Sequence, residues 1–207
     1  MDDTKELRSD FFQGDVDSVA RALIGKILLV NGVGGIIVET EAYDANDEGS
    51  HSFGGKITDR NKSMFALPGT VYVYRLRGSQ CLNFVCDSGK RGSAVLIRSL
   101  EPTMQLEAME RLQPGKNKFQ LCCGPGNLCK SLGITREKHD GHSLDKFPFD
   151  LQERIGASDP LVGITPRVGP PNVADKLRRY LLHGSKFTSR SRNPHSENSK
   201  EGERVKL

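Results

Sequence analysis

A ten-residue run, GGIIVETEAY at positions 34–43, constrains this 207-residue chain more than any other stretch. Ile36, Ile37 and Val38 are strong strand formers, and the Asn31-Gly32 pair just before the run is a tight-turn signal. Residues 26–30 and 35–43 are therefore expected to pair as a hairpin. Side chains alternate along a strand. This puts Ile36, Val38, Thr40 and Ala42 on one face, and Ile37, Glu39, Glu41 and Tyr43 on the other. The first set suits a core. The second gathers two carboxylates and an aromatic ring at a strand end, as a pocket would, the plain alternative being a half-exposed strand with surface glutamates.

The length suits one domain with an adequate core. No apolar run approaches the roughly 20 residues needed to span a bilayer. The acidic start, Met1-Asp2-Asp3, is unlike a secretory signal. A soluble intracellular protein is expected, cytoplasmic if bacterial and nuclear if eukaryotic. Five cysteines, odd in number and without a CxxC pair, indicate neither a disulfide framework nor a zinc site. Of the net charge of +4, most lies from Lys186 onward, where six basic residues meet three acidic ones. Charge by itself is thus weak support for nucleic-acid binding.

Local signals divide the chain into a loose segment 1–10, a folded domain 11–185 and a disordered basic tail 186–207. Asp15 is a good N-cap, and Val16, Val19, Ala20, Leu23 and Ile24 follow at helical spacing up to Gly25. Residues 44–69, rich in Gly, Asp, Asn and Ser around His51, form a loop long enough to be functional or to carry short helices. Strands are expected at 71–76, 82–86, 94–100, 161–168 and 179–182. Helices are expected at 103–112 and after Gly124-Pro125-Gly126. Strands clustered centrally with helices at the edges indicate an α+β fold, a single mixed domain around a curved, mostly antiparallel sheet.

Several further motifs come after Glu41 and Tyr43 in order. They are HSFGG at 51–55, TDRN at 58–61, Met64-Phe65, PGTVYVY at 68–74, Cys81-Leu82-Asn83 and VLIRSLEP at 95–102. In order and spacing the series resembles the alkyladenine DNA glycosylase family (3-methyladenine DNA glycosylases) over about residues 11–185. The resemblance implies repair of double-stranded DNA by excision of alkylated or deaminated purines. Cleaving an N-glycosidic bond requires a base to activate water, and the target nucleotide must first be flipped out of the duplex. By resemblance Glu41 is that base, Arg98 orients the water, and Tyr43 and Tyr74 wall the pocket. His51 contacts the flipped base, Asn83 crowds out the exocyclic amine of normal guanine, and Pro170 lies in a pocket-lining segment. Glu39 does not match the catalytic position and is assigned a structural ion pair. Each residue also has a plainer reading: surface carboxylate, exposed arginine, core tyrosine, solvated histidine or turn asparagine.

The chain departs from the family at its wedge. Where relatives place a tyrosine on a hairpin tip that fills the gap left in the DNA, this sequence has Arg77, and the tip is one residue short before Cys81. The segment between Pro171 and Tyr180 is also shortened. His139-Asp140-Gly141-His142 reads as a solvated loop, and neither metal nor cofactor is expected. No lysine is placed for a Schiff base, so the expectation is a monofunctional, water-using enzyme acting as a monomer. Two other readings stay open: a damage-sensing DNA-binding module with impaired extrusion, and an RNA-binding domain of related architecture.

Overall fold

The computed structural model describes residues 3–87, 91–155, 158–169 and 176–189. Asp15 opens helix α1 (Val16–Ala22), its Oδ1 accepting from the backbone N–H groups of Asp17 (3.1 Å) and Ser18 (3.0 Å). Val16, Val19, Ala20, Leu23 and Ile24 are all buried. The expected hairpin comes next: β2 (Ile27–Val30) pairs antiparallel with β3 (Val33–Tyr43) across Asn31 and Gly32. Both turn residues have positive φ (53° and 75°), as a two-residue turn of this hand requires.

The remaining strands are β4 (Val71–Leu76), β5 (Ser79–Cys86), β6 (Ser93–Met104), β7 (Phe149–Arg154), β8 (Val162–Thr165) and β9 (Arg179–Leu182). A short β1 (Thr4–Glu6) pairs with β7, so the polar start expected to be loose carries a strand. The sheet runs β1-β7-β2-β3-β6-β5-β4, with β9 added to β3 and β8 to β9; every ladder among the described residues is antiparallel. The helix expected from Thr103 instead starts at Leu106 as α2 (Leu106–Leu112), because β6 continues to Met104 and Gln105 turns the chain at φ 58°. Three short helices complete the set, α3 (Lys118–Leu121), α4 (Pro125–Ser131) and α5 (Arg136–His139). The architecture is the α+β domain that the sequence implies, with an open sheet.

One face of the sheet and helices α1 to α4 enclose the main core, which includes Leu23, Ile37, Val73, Phe84, Ile97, Met109 and Leu128. The other face carries a smaller cluster of Met64, Tyr72, Val85 and Ala94, bordered by Tyr43, Phe65 and Tyr74. Strict alternation along β3 does not survive. The β3–β6 register skips Val38 on one strand and Arg98 on the other, so Ile37 joins Ala42 in the main core and Ile36 is only half-buried. Each bulge inverts the parity of the residues beyond it on its strand. Near its start β3 needs two glycines, since a Cβ on Gly34 or Gly35 would lie 1.9 Å from the carbonyl oxygen of Leu28 or Glu101. No helix of the described residues is long and apolar enough to cross a membrane. All five cysteines are free thiols and four are buried.

Candidate active site

Beyond Ile37, β3 exchanges β2 for β9 along one edge while keeping β6 along the other. Glu39 and Glu41 are thereby surrounded by strands and fully buried. Buried carboxylates must be paired, and these two share Arg98. Its Nε donates to Glu39 Oε1 (2.9 Å) and its Nη1 to Glu41 Oε2 (3.2 Å). The β6 bulge explains how an arginine within an apolar run reaches both: Arg98 is the unpaired residue, and it turns towards the site while Ile97 and Leu100 remain in the core.

The two glutamates have different surroundings. Glu39 also accepts from Arg179 Nε (2.7 Å), Ser99 Oγ (2.8 Å), and both the backbone N–H (2.6 Å) and Oγ (2.7 Å) of Ser189. Burial alone would raise its pKa, but Arg98 and Arg179 outweigh that and hold it below the ordinary carboxylate value. Glu41 accepts, among the described residues, from Tyr43 Oη (2.8 Å), Arg98 Nη1 and the backbone N–H of Val168 (2.7 Å). An ionised carboxylate has about four acceptor positions, so these donors leave room for one more. Burial opposes the charge on Arg98, yet Glu41 and Glu39 raise its pKa and keep it protonated.

Next to this network stands a group of rings. Strand β4 sends Val71 and Val73 into the main core and Tyr72 and Tyr74 to the opposite face. His51, brought in by the long loop, meets the Tyr74 ring edge-on at 4.5 Å, and its Nδ1 lies 2.8 Å from Tyr72 Oη. Burial, with a contribution from Arg60, lowers the His51 pKa to about 4, so the imidazole is neutral at physiological pH. Burial and then Glu41 raise the Tyr43 pKa well above its usual value, so the phenol stays a donor. Behind Tyr43 lies Arg167, its guanidinium 4.4 Å from the ring centroid. That arginine is fixed by a buried ion pair with Asp47 and by donation to Ala42 O (3.0 Å).

Asn83 shares the site face of β5 with Val85, whereas Leu82 and Phe84 point into the core. Its Nδ2 donates to the carbonyls of Tyr72 (3.1 Å) and Cys81 (3.2 Å), a strand-fixing role in addition to any contact with a base. Arg77 occupies the β4–β5 turn with Gly78, exposed and at φ 48°. Pro170 lies outside the described residues, as does the tail from 190 on. The carboxylate of Asp140 accepts from Ser63 Oγ (2.8 Å) and Val73 N (2.9 Å), so it braces β4. The structure therefore brings Glu41, Arg98, Tyr43, Tyr74, His51 and Asn83 to one face and leaves Arg77 apart at a hairpin tip.

Arg179, Ser189, Arg167 and Asp47 lie outside the sequence motifs, while Ser99, within VLIRSLEP, and the Val168 N–H have no role assigned from the sequence. Within the segment expected as a tail from 186, Phe187 is buried and Ser189 is bonded to Glu39. Chemically, the site offers a carboxylate with three donors among the described residues, a fixed cation beside it and a group of neighbouring rings.

Comparison with known proteins bears on the family. A family model described as methylpurine-DNA glycosylase matches residues 10–186. A protein of Rhodopseudomonas palustris named "Putative 3-methyladenine DNA glycosylase" is 47% identical over 186 residues, covering 89% of this chain and 91% of that protein. A protein of the same name from Nitrosospira multiformis is 48% identical over 183 residues, 87% and 92% of the two chains. Another, from Granulibacter bethesdensis, is 47% identical over 185 residues, 88% and 86% of the two. With a match of this extent, this chain belongs to the methylpurine-DNA glycosylase family.

Proposed function

We propose that the protein is a DNA-repair glycosylase that excises alkylated or deaminated purines by hydrolysis, with Glu41 as the general base. The single observation that carries this reading is Glu41 held by Tyr43, Arg98 and the Val168 N–H beside the cluster that Tyr43 and Tyr74 border. A purine in a duplex cannot reach this buried carboxylate, so the nucleotide rotates out and its base enters between Tyr43 and Tyr74. His51 and Asn83 meet the edge of the base, and Pro170 is assigned to the pocket by the family resemblance alone.

Water bound to Glu41 attacks C1′ of the sugar. Glu41 takes its proton, the glycosidic bond breaks, and its electron pair leaves with the base. Positive charge develops on the sugar as the bond lengthens, and the carboxylate stabilises it. Arg98, held between Glu39 and Glu41, orients the water and keeps Glu41 in place. Because the nucleophile is water, no enzyme–sugar adduct forms and the strand is left intact at an abasic site. Every residue assigned comes from one chain, so a monomer suffices, acting wherever the cell's DNA is kept.

The test is single-turnover release of hypoxanthine and of 3-methyladenine from a defined duplex. Release of free base with an intact abasic strand is expected. Tight lesion binding without release would make the protein a damage sensor instead, and strand nicking would exclude a purely hydrolytic enzyme.

A further inference from the structure

The Arg98 guanidinium has three nitrogens, and the roles above occupy two of them. Its third, Nη2, donates to Ser189 Oγ at 3.3 Å. That hydroxyl in turn donates to Glu39 Oε1 (2.7 Å), while the Ser189 N–H donates to Glu39 Oε2 (2.6 Å) and its carbonyl accepts from Arg179 Nη2 (2.7 Å). One residue thus touches Glu39, Arg98 and Arg179. The segment that presents it is anchored independently: Phe187 stacks on Phe119 of α3 at 5.0 Å, and Cys123 Sγ reaches Thr188 O at 3.6 Å.

We propose that Ser189 is a positioning residue for the hydrolytic step, a latch that fixes the plane of the Arg98 guanidinium; the proposal rests on the glycosylase reading given above. Without Nη2 the guanidinium is held only by Glu39 at Nε (2.9 Å) and by Glu41 at Nη1, and its hold on Glu41 is the longer of those two, 3.2 Å. Holding Nη2 as well fixes the plane, and with it the place of Nη1 beside Glu41 and the water. Loss of the latch therefore slows the chemical step without touching DNA, because Ser189 lies behind the carboxylates and has no part in the ring-lined recess. Misplacing a positioned group by a fraction of an ångström is enough to cost rate.

The experiment uses the full-length protein with Ser189→Ala, Ser189→Thr and Ser189→Pro, and Lys186→Ala as a neighbouring control. Single-turnover hypoxanthine excision, affinity for the same duplex and thermal melting are measured for each. Ser189→Ala removes the hydroxyl and keeps the N–H, and is expected to slow excision about tenfold, the weight of one hydrogen bond to a charged group, at unchanged affinity. Ser189→Thr restores the hydroxyl and the rate, whereas Ser189→Pro removes both donors and is slower than Ser189→Ala. Wild-type excision in Ser189→Ala would overturn the latch, as would a loss that tracks melting temperature and is not rescued by Thr. If Ser189→Pro does not fold, the Ala and Thr pair still decides. No excision by the wild-type protein would remove the parent reading and this proposal with it; normal wild-type excision with an indifferent Ser189 would remove this proposal alone.

Discussion

Glu41 and Arg77 are both functional assignments carried by the same family resemblance, yet the molecule surrounds them in opposite ways. Glu41 is fully buried and held by a phenol, a guanidinium and a backbone N–H from three separate parts of the chain. Arg77 stands in solvent on a two-residue turn, in a left-handed conformation that a side chain with Cβ adopts at a cost of about 1–2 kcal/mol. The chemical end of the site is over-determined, whereas the hairpin tip is set by its own turn alone. Changes at the first should be severe and coupled, and changes at the second mild and separable.

The severest test is Glu41→Gln. The amide keeps the shape but cannot take water's proton, so excision should fall by about 10²–10⁴ while damaged-duplex affinity is largely retained. Single-turnover rates near wild type in this variant would remove Glu41 as the base and collapse the contrast between the two ends.

Glu39→Gln breaks the comparison within the buried end. Here the expected loss is of stability, about 3–5 kcal/mol, because Arg98 and Arg179 are left with an uncompensated buried charge. The pH dependence has a definite sign. Arg98 and Arg179 hold the folded-state pKa of Glu39 below its ordinary value of 4.5, so its stabilisation is complete above that value and is lost as pH falls through the folded pKa. Melting temperature measured from pH 7 down to pH 3 should therefore fall less steeply below 4.5 in Glu39→Gln than in the wild-type protein. Parallel curves would mean that Glu39 contributes nothing to acid unfolding.

This division also explains what is legible in the sequence. The β2–β3 hairpin and α1 are announced locally, by Asn31-Gly32 and by Asp15 with its helical spacing. The alternation of Glu39, Glu41 and Tyr43 is local as well, and those three do share the site. The bulges at Val38 and Arg98 are not legible, since they depend on the register between strands some sixty residues apart in sequence. That is why Ile36 and Ile37 exchange roles. Arg179 and Ser189 reach Glu39 only because β9 pairs with β3, and a serine near a polar tail carries no signature. The contribution of Val168 is a backbone N–H, which no residue type encodes. β1 is missed for the same reason: its residues are polar and exposed, and only the partner β7 makes them a strand.

Between the two ends lie the rings. Tyr43→Ala and Tyr74→Ala should each weaken retention of the extruded base by roughly 1–3 kcal/mol, since stacking acts only after flipping. Affinity for undamaged duplex, carried by phosphate contacts, should change less. Tyr43→Ala should be the worse of the two for rate, because it also removes a donor to Glu41 and uncovers Arg167. Equal losses on lesion and undamaged DNA would contradict a pocket-wall role for either ring.

The smallest expected effect belongs to the tip, and it is the most discriminating. If Arg77 fills the gap left by the flipped nucleotide, Arg77→Tyr should be a better plug and move the flipping equilibrium forward. A gain of about 1 kcal/mol in stacking is about fivefold. Tyrosine and alanine both meet the same left-handed backbone at this position, so a comparison of Arg77→Tyr with Arg77→Ala separates stacking from turn strain. The gain should be largest on stably paired lesions and smallest on mismatched ones, where unpairing costs less. Loss of the cation should also flatten the salt dependence of binding if Arg77 meets phosphate. The readout is 2-aminopurine fluorescence from a base beside the lesion, with excision rates across salt. If the two variants behave alike, Arg77 is not the plug, and the fold supplies a neighbour. Leu76 is 48% exposed and, two residues past Tyr74 on β4, joins Tyr72 and Tyr74 on the site face by alternation. Leu76→Ala should then impair flipping on paired lesions where Arg77→Ala does not.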